Sequence, residues 1–236
     1  MECRRFVCGP LSNNCYVIWN RVTSQSVIVD APLGSLAAYE AFLEETSASA
    51  VALLLTHGHW DHMADASIFQ EKYSVPVHVH GDDLSIMRDP PSAMNYSVQG
   101  VEIPGCEPDV IIGDGDKLQL LGTEWIIRSV AGHTPGGVVY YVPEWKFLFS
   151  GDVLFRGKIG RSGMKSRDGT LLIEQLRLKV LTLPEDVEVL PGHGAATTVG
   201  EEARTNPSLR CSFGDAAADF SCPVAANLPE NMHNGL

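Results

Sequence analysis

The run T-H-G-H-W-D-H, which begins at residue 56, constrains this chain more than any other part of its sequence. It follows Val51–Leu55, a continuous apolar run that predicts a strand buried on both faces. Residues two apart at a strand end project to the same side, so His57 and His59 can converge on one point. Asp61 and His62 then fall in the turn before the next helix and can face a second point nearby. This mixture of imidazoles and a carboxylate suits zinc, and also iron or manganese.

Four donors in one loop cannot complete the coordination spheres of two metals, so distant donors are expected. The candidates share two features: each follows a β-rich run, and each has a neighbouring glycine that permits a tight turn and close backbone approach. Ligands at strand ends gather along one edge of a sheet, which is where α/β proteins place their sites. The candidates are His133, Asp152 and His193.

Alternating β-rich and helical patterns predict a layered α/β protein. Three antiparallel strands are predicted first, at Phe6–Val7, Tyr16–Trp19 and Ser26–Val29. Later strands are predicted at Val75–Val79, Trp125–Val130, Val138–Val142, Lys146–Phe149 and Val187–Leu190. Helices are predicted at Leu36–Glu45, Met63–Tyr73, Gly169–Leu181 and Gly200–Thr205. Pro90–Asp116 is expected to form surface loops, and Cys211–Leu236 a mobile or loosely docked tail.

Composition narrows the classes of function. The formal net charge of -12 is a poor match to a phosphate backbone, so no nucleic-acid partner and no anionic membrane are expected. No stretch approaches the ~20 apolar residues of a membrane span, and the N-terminal segment lacks an unbroken apolar signal region. We therefore expect a cytoplasmic protein. None of the six cysteines forms a C-x-x-C pair, and free thiols are expected rather than disulfides.

The ordered motifs T-H-x-H-x-D-H, G-H-T-P-G, S-G-D and P-G-H-G resemble those of the metallo-β-lactamase superfamily. The resemblance runs from about Phe6 to Leu209. It implies a four-layer αββα sandwich, with one domain at residues 1–209 and a tail at 210–236. It also implies two metal positions that share one bridging carboxylate. One would be held by His57, His59 and His133, the other by Asp61, His62 and His193, and Asp152 would bridge them.

Within that superfamily, Gly151–Phe155 followed by Gly160–Arg161 resembles the glyoxalase II group, as does Trp60 in the first motif. The P-G-H-G ending is similar to short, single-domain bacterial members. This resemblance implies cleavage of a small thioester such as S-2-hydroxyacylglutathione (S-lactoylglutathione). The attacking group would be a hydroxide bridging two divalent metal ions, with zinc preferred and iron or manganese as alternatives. Asp61 would orient that hydroxide as well as bind metal.

Three basic residues follow Asp152 and are candidates for anchoring a substrate carboxylate: Arg156, Lys158 and Arg161. Arg161 ranks first, because the matching position in glyoxalase II is basic and helps bind glutathione. Full-length glyoxalase II enzymes also carry a C-terminal helical domain that helps hold glutathione. Only forty-three residues follow His193 here, too few for that domain.

Other functions stay open from the sequence. Persulfide dioxygenases share the implied fold and would use one iron held by His57, His133 and Asp152. A metal-binding module without turnover, a nuclease and a β-lactamase rank lower; a β-lactamase usually carries a secretion signal. His78 and His80 share a face of a predicted strand, and a structural role is expected for them rather than contact with the site. His233, in the tail, is expected to be solvated.

Overall fold

The computed structural model of the chain describes residues 1–90, 102–161 and 169–210. The strands of the first sheet are β1 (Glu2–Cys8), β2 (Asn13–Asn20), β3 (Gln25–Val29), β4 (Ser49–Leu54), β5 (Val77–His80) and β6 (Val110–Ile112). They lie in this order across the sheet. The pairs β1–β2 and β2–β3 are antiparallel, and the strands from β3 to β6 run parallel to one another.

The strands of the second sheet are β7 (Lys117–Leu120), β8 (Thr123–Ser129), β9 (Val138–Val142), β10 (Phe147–Gly151), β13 (Glu188–Pro191) and β14 (Thr197–Thr198). Across this sheet they lie in the order β14-β13-β10-β9-β8-β7. Only the β10–β13 pair is parallel among the described strands of this sheet. A short hairpin, β11 (Leu154–Phe155) and β12 (Lys158–Ile159), follows β10.

Helices connect these strands and cover the outer faces of the sheets. They are α1 (Ser35–Thr46), α2 (Trp60–Met63), α3 (Ala66–Tyr73), α4 (Leu84–Arg88), α5 (Thr170–Lys179), α6 (Val199–Thr205) and α7 (Pro207–Arg210). Single 3-10 turns lie at Gly81–Asp83 and Pro143–Trp145. Among the described residues, no helix is both long enough and apolar enough to cross a bilayer.

The core consists of three apolar layers, which define four layers of secondary structure. In β4, the side chain of Leu53 packs outward with Phe42 and Phe69 of the helices on the first sheet. The next residue, Leu54, points the other way and packs between the two sheets with Trp125. A third layer joins the outer face of the second sheet to the long helix α5. Alternate residues therefore serve opposite faces, as the period of a strand requires, and the predicted αββα sandwich is confirmed.

Two predicted segments differ from the structure. The predicted surface loops at Pro90–Asp116 contain β6, because its apolar run V-I-I pairs in parallel with β5. The single helix predicted at Met63–Tyr73 is divided into α2 and α3 at Asp65, whose carboxylate accepts a hydrogen bond from the Leu36 backbone N–H at 2.9 Å. Residues 91–101 of the predicted loops and the tail at 211–236, with His233, lie outside the described residues.

Candidate metal centre

The predicted donors lie at one edge of the sandwich, where loops follow β4, β8, β10 and β13. Two of them lie in the loop after β4, and two more lie in α2, a single turn of helix. The other three come from the second sheet, which supplies one donor from each of three loops. The full set is His57, His59, Asp61, His62, His133, Asp152 and His193. The structure brings all of them together in three overlapping groups of ligand atoms.

The first group consists of His57, His59 and His133, whose ligand atoms lie within 4.8 Å of one another. The Nε2 atom of His57 is 3.1 Å from Nδ1 of His59. The His133 ring lies edge-on to both others, with centroid distances of 4.9 and 4.6 Å. Three imidazole nitrogens around one point are a zinc-type ligand set.

The second group consists of Asp61, His62 and His193. Oδ2 of Asp61 is 3.6 Å from Nε2 of His62 and 3.5 Å from Nε2 of His193. The ring centroids of the two histidines are 5.3 Å apart. This group therefore combines two nitrogen donors with one carboxylate oxygen.

Asp152 lies between the two groups. Its Oδ1 is 3.3 Å from Nε2 of His62, and its Oδ2 is 3.7 Å from Nε2 of His133 and 3.5 Å from Nε2 of His193. One carboxylate thus faces donors of both groups.

The unused hydrogen-bonding capacity of these residues fits divalent cations. Nε2 of His133 and Oδ1 of Asp152 are buried and have no hydrogen-bond partner among the described residues. A buried polar atom without a partner is costly, and a cation at each group would satisfy it. Nitrogen and carboxylate donors in this number suit zinc, iron or manganese.

A buried aspartate that the sequence reasoning missed sets the orientation of two ligands. His62 donates from Nδ1 to Oδ2 of Asp30 at 2.8 Å. Thr56 donates from Oγ1 to the same oxygen at 2.9 Å, and its hydroxyl oxygen lies 3.1 Å from Nδ1 of His57. Nδ1 of His57 and of His62 are both occupied in this way, which leaves their Nε2 atoms free for a metal. Asp30 directly follows β3, far along the chain from any histidine motif, so no sequence signal marked it.

Backbone carbonyls orient two more ligands. Nδ1 of His133 donates to the Arg161 carbonyl at 2.9 Å, and Nδ1 of His193 donates to the Leu11 carbonyl at 3.1 Å. Their Nε2 atoms therefore face the site. The loop containing Arg161 thus contributes to the metal group through its backbone.

Gly192 shows why glycine precedes a ligand here. A Cβ atom at this position would lie 2.4 Å from Oδ1 of Asp152 and 2.6 Å from Cε1 of His62. Both atoms belong to ligand side chains that cannot move without opening the site. The P-G-H-G motif therefore reflects close packing of the backbone against the metal group.

The two groups differ in charge. Burial, with the neighbouring histidines, lowers the pKa of His57 well below its usual range and the pKa of His59 to about 4. Burial alone would also lower the pKa of His62 and His193. Nearby carboxylates outweigh it, so the pKa of His62 lies well above its usual range and that of His193 rises to about 9. His57 and His59 are thus held in the neutral form, whereas His62 and His193 are paired with carboxylates that favour their protonated form.

The predicted substrate residues follow Asp152 in the chain: Lys158 lies on the β11–β12 hairpin, and Arg161 comes two residues after the hairpin ends. Lys158 is exposed, and its Nζ lies 5.3 Å from the ring centroid of Phe155. The Phe155 ring is in turn 6.2 Å from the ring of His193. Arg161 is exposed at the end of the described segment. Phe155 therefore links Lys158 to a histidine of the second group, whereas Arg161 approaches the centre through its backbone carbonyl, which accepts from Nδ1 of His133 at 2.9 Å.

His78 and His80 lie apart from the ligand groups found among the described residues. Nδ1 of His78 donates to the Pro76 carbonyl at 3.1 Å, and Nδ1 of His80 accepts from the Asp82 backbone N–H at 3.2 Å. Both contacts are local, and they support the structural role expected for these residues.

Comparison with known proteins identifies the family. The family model of the Metallo-beta-lactamase superfamily matches residues 8–193, which include every predicted donor. The chain belongs to the metallo-β-lactamase superfamily. Its histidine and aspartate cluster is thus the metal-binding group expected of a superfamily of metal-dependent hydrolases.

Two curated superfamily relatives match most of the chain. An uncharacterized protein of Mycobacterium tuberculosis is 34% identical over 86% of this chain and 96% of its own length. The hydroxyacylglutathione hydrolase GloC of Haemophilus influenzae is 33% identical over 83% of this chain and 92% of its own length.

Solved structures of superfamily members agree with the fold. The B3 metallo-beta-lactamase BLEG-1 superposes with a TM-score of 0.81 and 33% identity, covering 89% of this chain and 100% of that protein. TTHA1623 in a di-iron-bound form has a TM-score of 0.75 and 34% identity, and the match covers 86% of this chain and 98% of the TTHA1623 chain. ETHE1 from Myxococcus xanthus shares the fold, with a TM-score of 0.75 and 23% identity. The match covers 98% of this chain and 93% of the ETHE1 chain.

Proposed function

We propose that this protein hydrolyses a small thioester of the S-2-hydroxyacylglutathione type on two divalent metal ions. The position of Asp152 carries the proposal, because one carboxylate within 3.7 Å of donors in both groups can hold two cations side by side. The hydroxyacylglutathione hydrolase of Haemophilus influenzae supports the choice of substrate, since the match covers 92% of that enzyme.

The residues proposed to hold the metals are those the sequence predicts. One ion would be held by His57, His59 and His133, the other by Asp61, His62 and His193, with Asp152 shared. We propose zinc for both, with iron or manganese as alternatives. Divalent cations held there would polarise a carbonyl oxygen and lower the pKa of water to about 7, as hydrolysis at neutral pH requires.

Asp61 is proposed to orient the nucleophile. Burial would raise the pKa of its carboxyl, but His62, His193 and Asn13 together lower it below its usual range. An ionised carboxylate accepts a hydrogen bond and can take up a proton from the attacking water. The leaving thiolate is a weak base and needs little acid catalysis.

Lys158 and Arg161 are proposed to bind a carboxylate of the substrate. Both are exposed cations shortly after Asp152 in a chain with a net charge of -12, and we propose that they form a local positive region beside the site. Arg161 can bind a carboxylate through two parallel hydrogen bonds, and Lys158 supplies a point charge.

A substrate panel tests the proposal. The metal content of the purified protein is measured first. The protein is then assayed for cleavage of S-lactoylglutathione, for oxygen uptake with glutathione persulfide and for hydrolysis of a chromogenic cephalosporin. We expect thioester cleavage with two metals per chain. Oxygen uptake with one iron per chain and no thioester cleavage would replace the proposal by persulfide dioxygenation.

β-Lactam hydrolysis is the second candidate, because BLEG-1 is a B3 metallo-beta-lactamase by name and covers 89% of this chain at 33% identity. An imidazole and carboxylate centre that cleaves a thioester can in principle cleave a lactam amide. Cephalosporin turnover that exceeds thioester turnover would favour this candidate.

The proposed binding of a substrate carboxylate by Lys158 and Arg161 is tested with Lys158→Ala. We expect the KM for S-lactoylglutathione to rise about fivefold with kcat unchanged, because an exposed charge contributes up to about 1 kcal/mol to binding. A neutral N-acetylcysteamine thioester is the matched substrate and should show no change. Arg21→Ala is the matched variant, since Arg21 is an exposed cation paired with Glu2. A KM for the glutathione thioester that stays unchanged in Lys158→Ala would remove this residue from substrate binding.

The remaining expectations concern the whole chain. We propose one domain at residues 1–209 with a tail at 210–236. Cytoplasmic location, a small-molecule substrate and the lack of a nucleic-acid or membrane partner remain predictions.

A further inference from the structure

The side chain of Asn13 lies against the second metal group. Its Nδ2 atom is 2.9 Å from Oδ2 of Asp61, 3.2 Å from Nε2 of His62 and 3.3 Å from Nε2 of His193. These three atoms are the donors of that group. The amide of Asn13 therefore faces the same point that a cation would occupy.

The backbone holds Asn13 in this position. Asn13 begins β2 and is fully buried, and it forms an isolated antiparallel bridge with His193. The next residue, Asn14, donates its backbone N–H to the Gly192 carbonyl at 2.7 Å. The backbone of Asn13 is thus tied to the loop that carries one of the ligands, and this holds the residue beside the group.

The other end of the same amide has unused capacity. Oδ1 of Asn13 is buried and has no hydrogen-bond partner in the described part of the chain. A carboxamide exchanges its oxygen and nitrogen by a half-turn about χ2 with almost no change in shape. That half-turn would direct Oδ1 toward Asp61, His62 and His193.

A cation decides which end faces the group. An N–H group pointing at a divalent cation is repelled, whereas an amide carbonyl is a hard oxygen donor of the kind that such ions bind. We propose that Asn13 supplies its side-chain oxygen to the second metal position and so sets the affinity of that position. This inference requires the metal centre but not the thioester substrate.

Metal titration of the full-length protein tests the inference without any assay of activity. Metal-free protein is titrated with Zn²⁺ by calorimetry and with Co²⁺ by visible absorption. For Asn13→Ala we expect the second binding step to weaken by about 10- to 100-fold, the range found when a group that supports a metal site is removed. The first step, at His57, His59 and His133, should change less than about threefold.

Two further variants separate ligation from general loosening. Asn13→Asp keeps an oxygen at the same position and should bind the second ion at least as tightly as the wild type. Asn14→Ala is the matched control, because within the described ranges its Nδ2 bonds to Tyr16 Oη and to the Pro191 and Gly194 carbonyls but to no candidate metal donor. It should leave the second binding step within about threefold.

Three results would overturn the inference. One is an unchanged or tighter second step in Asn13→Ala. Another is an equal weakening in Asn13→Asp, and the third is an equal weakening in Asn14→Ala. If the titrations give the expected results but the wild-type protein does not cleave the thioester, that outcome would count against the proposed substrate alone.

Discussion

At the scale of single residues, Asp152 differs from the other donors because both of its oxygens face ligand nitrogens. Its environment favours the carboxylate form: burial would raise the pKa, but His62, His193 and His57 hold it well below its usual range. Removing this side chain takes a donor from both metal positions at once.

We therefore predict that Asp152→Ala loses both metals together and that its thioesterase activity falls by more than about 100-fold. Metal content by mass spectrometry and kcat/KM are the measurements. Asp186→Ala is the control, since Asp186 is an exposed carboxylate paired with Lys146. Equal metal content and activity in Asp152→Ala and the wild type would end the bridging assignment.

The described cysteines are free thiols, as expected, and their burial has a consequence at alkaline pH. Cys15 is fully buried, and burial raises its pKa well above the usual value. Burial likewise raises the pKa of Cys106 to about 11. An unfolded thiol loses its proton near pH 9, whereas these folded thiols keep theirs.

Because of that difference, these thiols add to the free energy of unfolding. Their contribution is fully present below the pKa of the unfolded thiol and is lost as the pH rises toward the pKa of the folded thiol. We predict that the free energy of unfolding falls above pH ~9, with Cys15 contributing up to about 1.4 kcal/mol per pH unit. Urea unfolding between pH 8 and 10.5 measures it. Cys15→Ala should be less stable at every pH but have a shallower slope; an unchanged slope would contradict the prediction.

At the scale of elements, a buried carboxylate at the end of a 3-10 turn ties together the loops that carry the first metal group. Asp83 accepts hydrogen bonds from the Gly58 backbone N–H at 2.9 Å, from Thr134 Oγ1 at 2.8 Å and from the Gly136 backbone N–H at 2.7 Å. Gly58 lies between His57 and His59, and Thr134 follows His133. Asp83 thus joins ligand loops from the two sheets without itself being a ligand.

For Asp83→Ala we predict a loss of about 3 kcal/mol or more in the free energy of unfolding, because three buried donors lose their partner. The first metal position should weaken more than the second, which Asp83 does not contact. Denaturant unfolding and metal titration are the measurements. Asp82→Ala, at an exposed neighbouring carboxylate, is the control; equal effects of the two variants would remove the role of Asp83.

The sequence predicted the elements whose pattern is local and missed those that depend on pairing. Strand β4 was predicted because its apolar run serves two core layers. Strand β6 has only three residues, and β11, β12 and β14 have two each. Such segments are too short to show an alternating hydrophobic pattern, so their conformation depends on pairing with neighbouring strands.

At the scale of the whole molecule, metal binding at this cluster would be coupled to folding. The candidate donors span residues 57–193 and come from both sheets, so a bound ion would link distant parts of the chain. A ligand that binds only the folded state stabilises it by about 2.7 kcal/mol at a concentration 100 times its Kd.

We predict that prolonged chelation lowers the Tm by about 5 °C or more, since 1 kcal/mol corresponds to roughly 2–4 °C at this chain length. Differential scanning calorimetry before and after EDTA measures the shift, and added Zn²⁺ should reverse it. A Tm that is the same with and without metal would show that the cluster binds no ion tightly.

The sequence by itself determined the family motifs and the layered α/β architecture, and it indicated the candidate donors. It could do so because these features are carried by residue types at short spacings: histidines after apolar runs, glycines beside ligands and apolar residues with strand or helix period. The tertiary structure decided which groups orient those donors. Asn13, Asp30 and Asp83 lie 180, 32 and 25 residues along the chain from His193, His62 and Gly58, which they contact. Nothing in a local pattern marks an asparagine or aspartate as buried against a partner so far away, because only the packing of the two sheets brings them together.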